Sequence, residues 1–262
     1  MDRTKMDRYL SNDLWKQMAS KHSILLGEPP EDSVRIVALS DLYEEAACRD
    51  YIRWFQTYID APDLKVAASM LVKRIGYLWT APLMTALTFH HRHVSFSLQD
   101  SFLYHPALIE EGGTRFPFLA VSGLRAEALT PNREVQREKA MEEIFALQLT
   151  PLFKMLAAIV PLPMSILWEN IMVRIGPLYK LEAGETGEKH QHVQADFSYL
   201  TQEAPGALFD QRRNPFTRFT TCKDQIPIAK NERITCCFYY QMSGEYCRKC
   251  PKIDTENKSQ LK

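Results

Sequence analysis

Apolar residues recur at helical spacing through much of the chain. Tyr43, Ala47, Tyr51, Trp54 and Tyr58 repeat at steps of four and three, which predicts an amphipathic helix, and Asp41 followed by Glu44 resembles a capping box at its start. A second helix is predicted after Asp63, with Leu64, Ala68, Leu71, Ile75 and Leu78 on one face and Pro62 fixing its first turn. Thr130 and Pro131 mark another start, followed by the face Met141, Phe145, Leu149, Leu152, Leu156 and Ile159. Pro151 should kink or split that helix. The spacing of Met164, Leu167, Ile171, Ile175 and Leu178 predicts a helix after Pro163 that ends near the loop at 184–187. An initial helix over 11–21 is expected to run into the Gly27-Glu28-Pro29-Pro30 joint, which no regular element tolerates.

Elsewhere the period shortens to two. Val94, Phe96 and Leu98 alternate with Ser95 and Ser97, so strands are expected between 93 and 121, with a turn at Gly112-Gly113. The same alternation over 193–199 and 233–240, rich in β-branched and aromatic residues, predicts strands in the C-terminal third. The expected fold is α+β: a predominantly helical N-terminal part with short strands over 1–222, and a small strand/loop subdomain over 223–262 whose last residues fray.

With 262 residues and 45% apolar content, the chain has ample material for a packed core. Lys+Arg and Asp+Glu both number 32, so no overall field selects nucleic acid as a partner. The longest stretch without a charged residue, 75–89, is shorter than the roughly 20 residues that cross a bilayer and contains Pro82, so no transmembrane segment is expected. The N-terminus is charged throughout and lacks the apolar run of a secretory signal. A cytoplasmic protein is expected, with the inner face of the cell membrane as the alternative location.

That compartment keeps thiols reduced, which turns attention from disulfides to where the cysteines fall. Cys48 and Cys222 stand alone and read as small buried fillers. Cys236, Cys237, Cys247 and Cys250 fall within fifteen residues, in the segment TCCFYYQMSGEYCRKCP. Two vicinal thiols, nine residues with Ser243-Gly244 suited to a turn, then Cys-x2-Cys would form a hairpin that gathers four thiolates. Such a group repels itself unless a thiophilic cation joins it. Three chemistries are open. Structural zinc on four cysteines is common, although its usual layout is two Cys-x2-Cys knuckles. In a regular strand Cys236 and Cys237 would point to opposite faces, which suits the wider ligand positions of a 2Fe-2S cluster better than one small ion. The third is a vicinal disulfide or a redox-active Cys-x2-Cys pair, and the latter lacks the strand-to-helix setting it needs.

The Cys-Cys-x9-Cys-x2-Cys pattern near the C-terminus, preceded by Arg233 and with Phe238 and Tyr240 between the pairs, resembles the FhuF-like ferric-siderophore reductase family. Its members carry a 2Fe-2S cluster on a C-terminal Cys-Cys-x10-Cys-x2-Cys motif. Leu167-Trp168-Glu169-Asn170 is similar to the family's Leu-Trp-x-Asn stretch, and Asn214-Pro215-Phe216 to its Asn-Pro-Leu stretch. The likeness covers roughly the last hundred residues, and the gap between cysteine pairs is nine residues here, one fewer than in the family. The resemblance implies that Cys236, Cys237, Cys247 and Cys250 hold a 2Fe-2S cluster in the C-terminal subdomain. It also implies that the protein reduces a ferric siderophore, hydroxamate type expected, and releases Fe(II). The rival from another class is a non-redox binding module stabilised by a four-cysteine zinc site.

Arg233, Arg248, Lys249 and Lys252 flank the cysteines and are the candidates for attracting an anionic chelate or an acidic donor. No nucleotide-binding glycine fingerprint occurs, so electrons are expected from a separate ferredoxin, flavoprotein or thiol system, and an ATP-dependent siderophore synthetase is disfavoured. His90, His91 and His93 follow an apolar helix and are expected to cap it or face the surface. His190 and His192 are expected in a polar loop. Trp54, Trp79 and Trp168 read as core, and Asn170 as a helix amide that needs partners beside the cysteine segment.

Overall fold

The computed structural model describes residues 16, 19–109, 113–122, 124–129, 132–180, 188–223 and 226–253. Most of the expected helix over 11–21, Gly112 of the Gly112-Gly113 turn, the Thr130-Pro131 start, the loop at 184–187 and the tail from 254 lie outside them. The fold is α+β, with helices packed around one apolar core and short sheets at the margin.

Four strands form one sheet, β1 (Ile24–Leu26), β2 (Arg35–Ala38), β4 (Ser101–His105) and β5 (Phe118–Val121), in spatial order β1-β5-β4-β2. β1 pairs parallel with β5, and β4 runs antiparallel to both β5 and β2. β3 (Arg92–Ser95) pairs antiparallel with β6 (Arg125–Ala128), and β7 (Thr220–Lys223) with β8 (Ile226–Ala229). Ser101, Leu103 and His105 of β4 point inward while Phe102 and Tyr104 are half-buried, the alternation of a sheet with one covered face.

Helices α1 (Glu45–Tyr58), α2 (Leu64–Ile75), α3 (Ala81–His90), α4 (Arg133–Glu142), α5 (Thr150–Ile159), α6 (Met164–Ile175) and α7 (Glu188–Ser198) supply the core. α2 starts as expected, with Asp63 accepting a hydrogen bond from the Val66 N–H at 2.8 Å. The capping box at Asp41 does not form. A 3-10 turn over Leu39–Tyr43 buries Leu39 and Leu42 and takes Asp41 into itself, so packing of two leucines overrides local capping, and Glu44 heads α1 without a side-chain cap.

The long apolar helices are interrupted by π turns at Gly76–Thr80, Glu143–Leu149 and Tyr199–Glu203. Each lies just before a proline: Pro82, Pro151 and Pro205. A proline lacks the N–H of the regular ladder and crowds the carbonyl four residues earlier, and that residue (Leu78, Leu147, Thr201) falls inside the widened turn every time. The expected break at Pro151 takes this form, and the chain continues into α5.

Two strand expectations fail. Residues 193–199 are helical, because Val193, Phe197 and Leu200 also satisfy helical spacing and are buried together, with Asp196 on the same side accepting both Arg133 Nη atoms at 2.8 and 2.6 Å. Residues 233–240 form no strand. Their backbone leads through a loop into the short helix α8 (Tyr239–Ser243), which Gly244 closes at φ +74°. The β7–β8 hairpin therefore precedes the cysteines, and a helical turn separates the two cysteine pairs.

α2 and α6 cross at close range. A side chain at Gly76 would meet Arg174 Cγ at 3.1 Å and Ile171 Cδ1 at 3.3 Å, so glycine permits the approach. Below α6, Trp168 packs edge-on against Phe153, Phe209 and Phe216 at centroid distances of 5.0 to 5.8 Å. Trp79 and Trp168 are core, as expected, while Trp54 is half-buried and stacks on Tyr58.

Candidate metal centre

The α2–α6 pair forms the floor on which the cysteine segment rests. Glu169 of α6 accepts hydrogen bonds from the backbone N–H of Ile234 at 2.6 Å and of Thr235 at 2.8 Å, and from the Thr235 hydroxyl. These bonds take the place of a strand partner. Next along α6, the Asn170 amide donates to the Ser69 carbonyl at 2.8 Å and to its hydroxyl at 3.0 Å, and that hydroxyl donates to the Cys237 carbonyl at 3.0 Å. Asn170 thus bonds to helix α2 and reaches the cysteine loop only through Ser69. At Phe238 the backbone turns left-handed, φ +65°, and the Phe238 N–H points back to Cys236 Sγ at 3.3 Å. Phe238 lies near Lys65 and Tyr239 near Lys73, each ammonium about 5 Å from the ring centroid.

Cys237 Sγ and Cys247 Sγ meet at 3.7 Å, and Lys73 Nζ stands 3.8 Å from Cys237 Sγ. Cys237 and Cys250 are buried, Cys236 and Cys247 half-buried, and all four are free thiols. The hydrogen bond shared with Cys247, with the charges of Lys73 and Arg233, holds the Cys237 thiol well below its usual range, whereas the same bond and burial push Cys247 up. Burial raises Cys236, and the neighbouring Cys250 and Cys237 sulfurs add to the rise. Among the described residues, no three His, Cys, Asp or Glu side chains form a group tight enough to hold a metal ion.

The flanking cations separate. Arg233 is buried, its Nε donating to the Thr235 carbonyl at 2.9 Å and lying 3.5 Å from Glu169, while its Nη1 and Nη2 have no acceptor among the described residues. Its backbone N–H donates to the Lys249 carbonyl at 2.9 Å and so ties the two cysteine-bearing arms together. Lys249 is half-buried. Arg248 and Lys252 are exposed, and Lys252 Nζ donates to the Tyr240 hydroxyl at 3.0 Å. Cys237 and Cys247 are soft sulfur donors in contact at 3.7 Å, and the same segment carries a buried guanidinium whose terminal donors are unsatisfied among the described residues. The bend at Phe238 also removes the premise that Cys236 and Cys237 sit in a regular strand, so that argument against a single ion does not apply.

Sequence reasoning missed Glu169, Ser69, Lys73 and Arg174. Only Glu169 and Asn170 lay within a motif, and there Glu169 occupied the variable position. Asn214 builds its own turn: its amide donates to the Leu200 and Ala204 carbonyls, and its Oδ1 accepts from the Phe216 N–H at 2.9 Å. Cys48 is buried as expected, but Cys222 is exposed. His91 ends α3 in a left-handed conformation, and His93 pairs with Glu143 at 2.9 Å. His190 and His192 lie on α7, not in a loop, with the His192 ring 4.8 Å from that of His91. No protein-family model matches the chain, and no curated protein matches it.

Proposed function

We propose that the chain is a one-electron carrier that holds a 2Fe-2S cluster on Cys236, Cys237, Cys247 and Cys250 and reduces a ferric siderophore in the cytoplasm. The observation that supports it most is the contact of Cys237 Sγ with Cys247 Sγ at 3.7 Å, which brings the two cysteine pairs together on α2 and α6, with Lys73 Nζ 3.8 Å from Cys237 Sγ. When bound, such a cluster supplies electrons singly. Glu169 and Ser69 fix the loop that carries the first cysteine pair, and Arg233 links it to the second. The cations nearby offset the negative charge of the thiolates. Arg248 and Lys252, both exposed, attract the anionic chelate or an acidic electron donor. Hard oxygen ligands hold Fe(III) far more tightly than Fe(II), so one electron delivered to the chelate is enough to release the metal as Fe(II). The electron comes from a separate ferredoxin, flavoprotein or thiol system.

Stopped-flow mixing of dithionite-reduced protein with a panel of ferric hydroxamates and catecholates tests this. Reoxidation of the protein together with trapping of Fe(II) by a ferrous chelator is expected. Failure of every chelate to reoxidise the protein contradicts the substrate assignment. The bend at Phe238 favours a second reading, a structural zinc ion on the same four sulfurs, which predicts a colourless protein with one zinc per chain.

A further inference from the structure

The two cysteine pairs meet at one point. Cys237 Sγ lies 3.7 Å from Cys247 Sγ, a direct contact between two free thiols. Both arms are held in place by bonds to the surrounding backbone. The Ser69 hydroxyl donates to the Cys237 carbonyl at 3.0 Å, the Cys250 N–H to the Cys247 carbonyl at 2.8 Å, and the Arg233 N–H to the Lys249 carbonyl at 2.9 Å. The fold, with α8 and Gly244 between the pairs, has therefore already met the chain entropy of bringing position 237 to 247. A disulfide holds its sulfurs at about 2.05 Å, so these two have to close roughly 1.7 Å, the scale of a side-chain rotation. Cys236 Sγ is engaged elsewhere, accepting the Phe238 N–H at 3.3 Å. Access to the two partners differs. Cys237 is buried, whereas Cys247 is half-buried between the exposed Tyr246 and Arg248.

We propose that Cys237 and Cys247 form a reversible dithiol–disulfide pair, oxidised in the metal-free chain by a low-molecular-weight disulfide. Cys247, the sulfur that solvent reaches, gives up its proton and attacks the reagent. The reagent's S–S bond breaks, and its first half leaves as a thiol. Cys237 then attacks Cys247 Sγ across the 3.7 Å contact, the mixed disulfide breaks, and the second half leaves. In total the two cysteines lose two electrons and two protons, and the reagent gains both. Lys73 Nζ, 3.8 Å from Cys237 Sγ, offsets negative charge on the attacking sulfur. The cross-link takes two of the four clustered sulfurs out of use, so it closes the site to a metal ion or cluster until a reductant reopens it. A transient disulfide of this kind is compatible with a reducing compartment. The inference requires neither iron nor zinc at the site and goes beyond the one-electron chemistry proposed above.

The test exposes the full chain, reduced and stripped of metal by a chelator, to oxidised glutathione. Free thiols are then alkylated and the chain is cut with a protease that cleaves after glutamate, because Glu245 separates Cys237 from Cys247. Mass spectrometry is expected to find those two fragments joined, with fragment sequencing placing the bond on Cys237. C236S and C250S should keep the cross-link. C247S should lose it, and C237S should lose it while retaining the glutathione adduct on Cys247. A dithiol reductant should restore both thiols in the wild type. Absence of the cross-link from wild-type protein overturns the inference, as does a bond that joins Cys236 to Cys237 or Cys247 to Cys250 instead. Cross-linked protein that loads iron and sulfide, or zinc, as fully as the reduced chain also overturns it. A chain that forms the cross-link but takes up no iron and sulfide once reduced contradicts the cluster reading and leaves this inference standing.

Discussion

Glu169 shows how one side chain can replace a strand. Its carboxylate receives two backbone N–H groups and a hydroxyl from the cysteine segment and lies against a buried arginine. E169A would leave those donors without their acceptor and Arg233 buried without its carboxylate, and removing one member of a buried ion pair costs on the order of 3–5 kcal/mol. Chemical denaturation of the metal-free E169A protein should show a loss of that size. A loss below about 1 kcal/mol, the scale of an exposed pair, would contradict the role assigned to Glu169. An acidic residue on a helix ordinarily faces water, so nothing in the sequence distinguished Glu169 from its neighbours.

At the scale of elements, helices α2 and α6 were legible because their apolar faces keep one period over three turns and because Asp63 and Pro163 mark the starts. The strands β3 to β5 were legible from alternation. Residues 193–199 were not, since Val193, Phe197 and Tyr199 fit a period of two while Val193, Phe197 and Leu200 fit 3.6, and only the buried Asp196 partner of Arg133 selects the helix. Residues 233–240 were misread because their backbone partner is a side chain more than sixty positions away, which no local pattern encodes. The cysteine grouping was visible from spacing alone. Its cationic setting was not, because Lys73, whose Nζ stands 3.8 Å from Cys237 Sγ, comes from α2, 164 positions earlier in the chain.

Across the whole molecule, two histidines make stability depend on pH. His105 is enclosed by Tyr51, Trp54, Phe55 and Tyr58, its Nδ1–H donating to the Arg115 carbonyl at 3.1 Å and its Nε2 accepting from the Tyr51 hydroxyl at 3.1 Å. Burial pushes it down to about 4 from 6.5. The Arg115 carbonyl opposes that shift, and the charges of Arg74 and Arg35 add to it. Burial lowers His22 as well. The unfolded chain therefore binds the proton first, so stability is undiminished by His105 above pH 6.5 and falls as pH drops from 6.5 toward 4, by ~3 kcal/mol in total. Urea unfolding over that range should show the decline, and H105Q should flatten it. An equal slope in H105Q would contradict the assignment.

The four-sulfur centre is tested most directly by metal and sulfide analysis with EPR on wild-type protein isolated without oxygen. Two irons and two inorganic sulfides per chain, with a signal from a single unpaired electron after one-electron reduction, are the expected result. A colourless protein that carries one zinc and takes up neither iron nor sulfide on reconstitution would contradict the account.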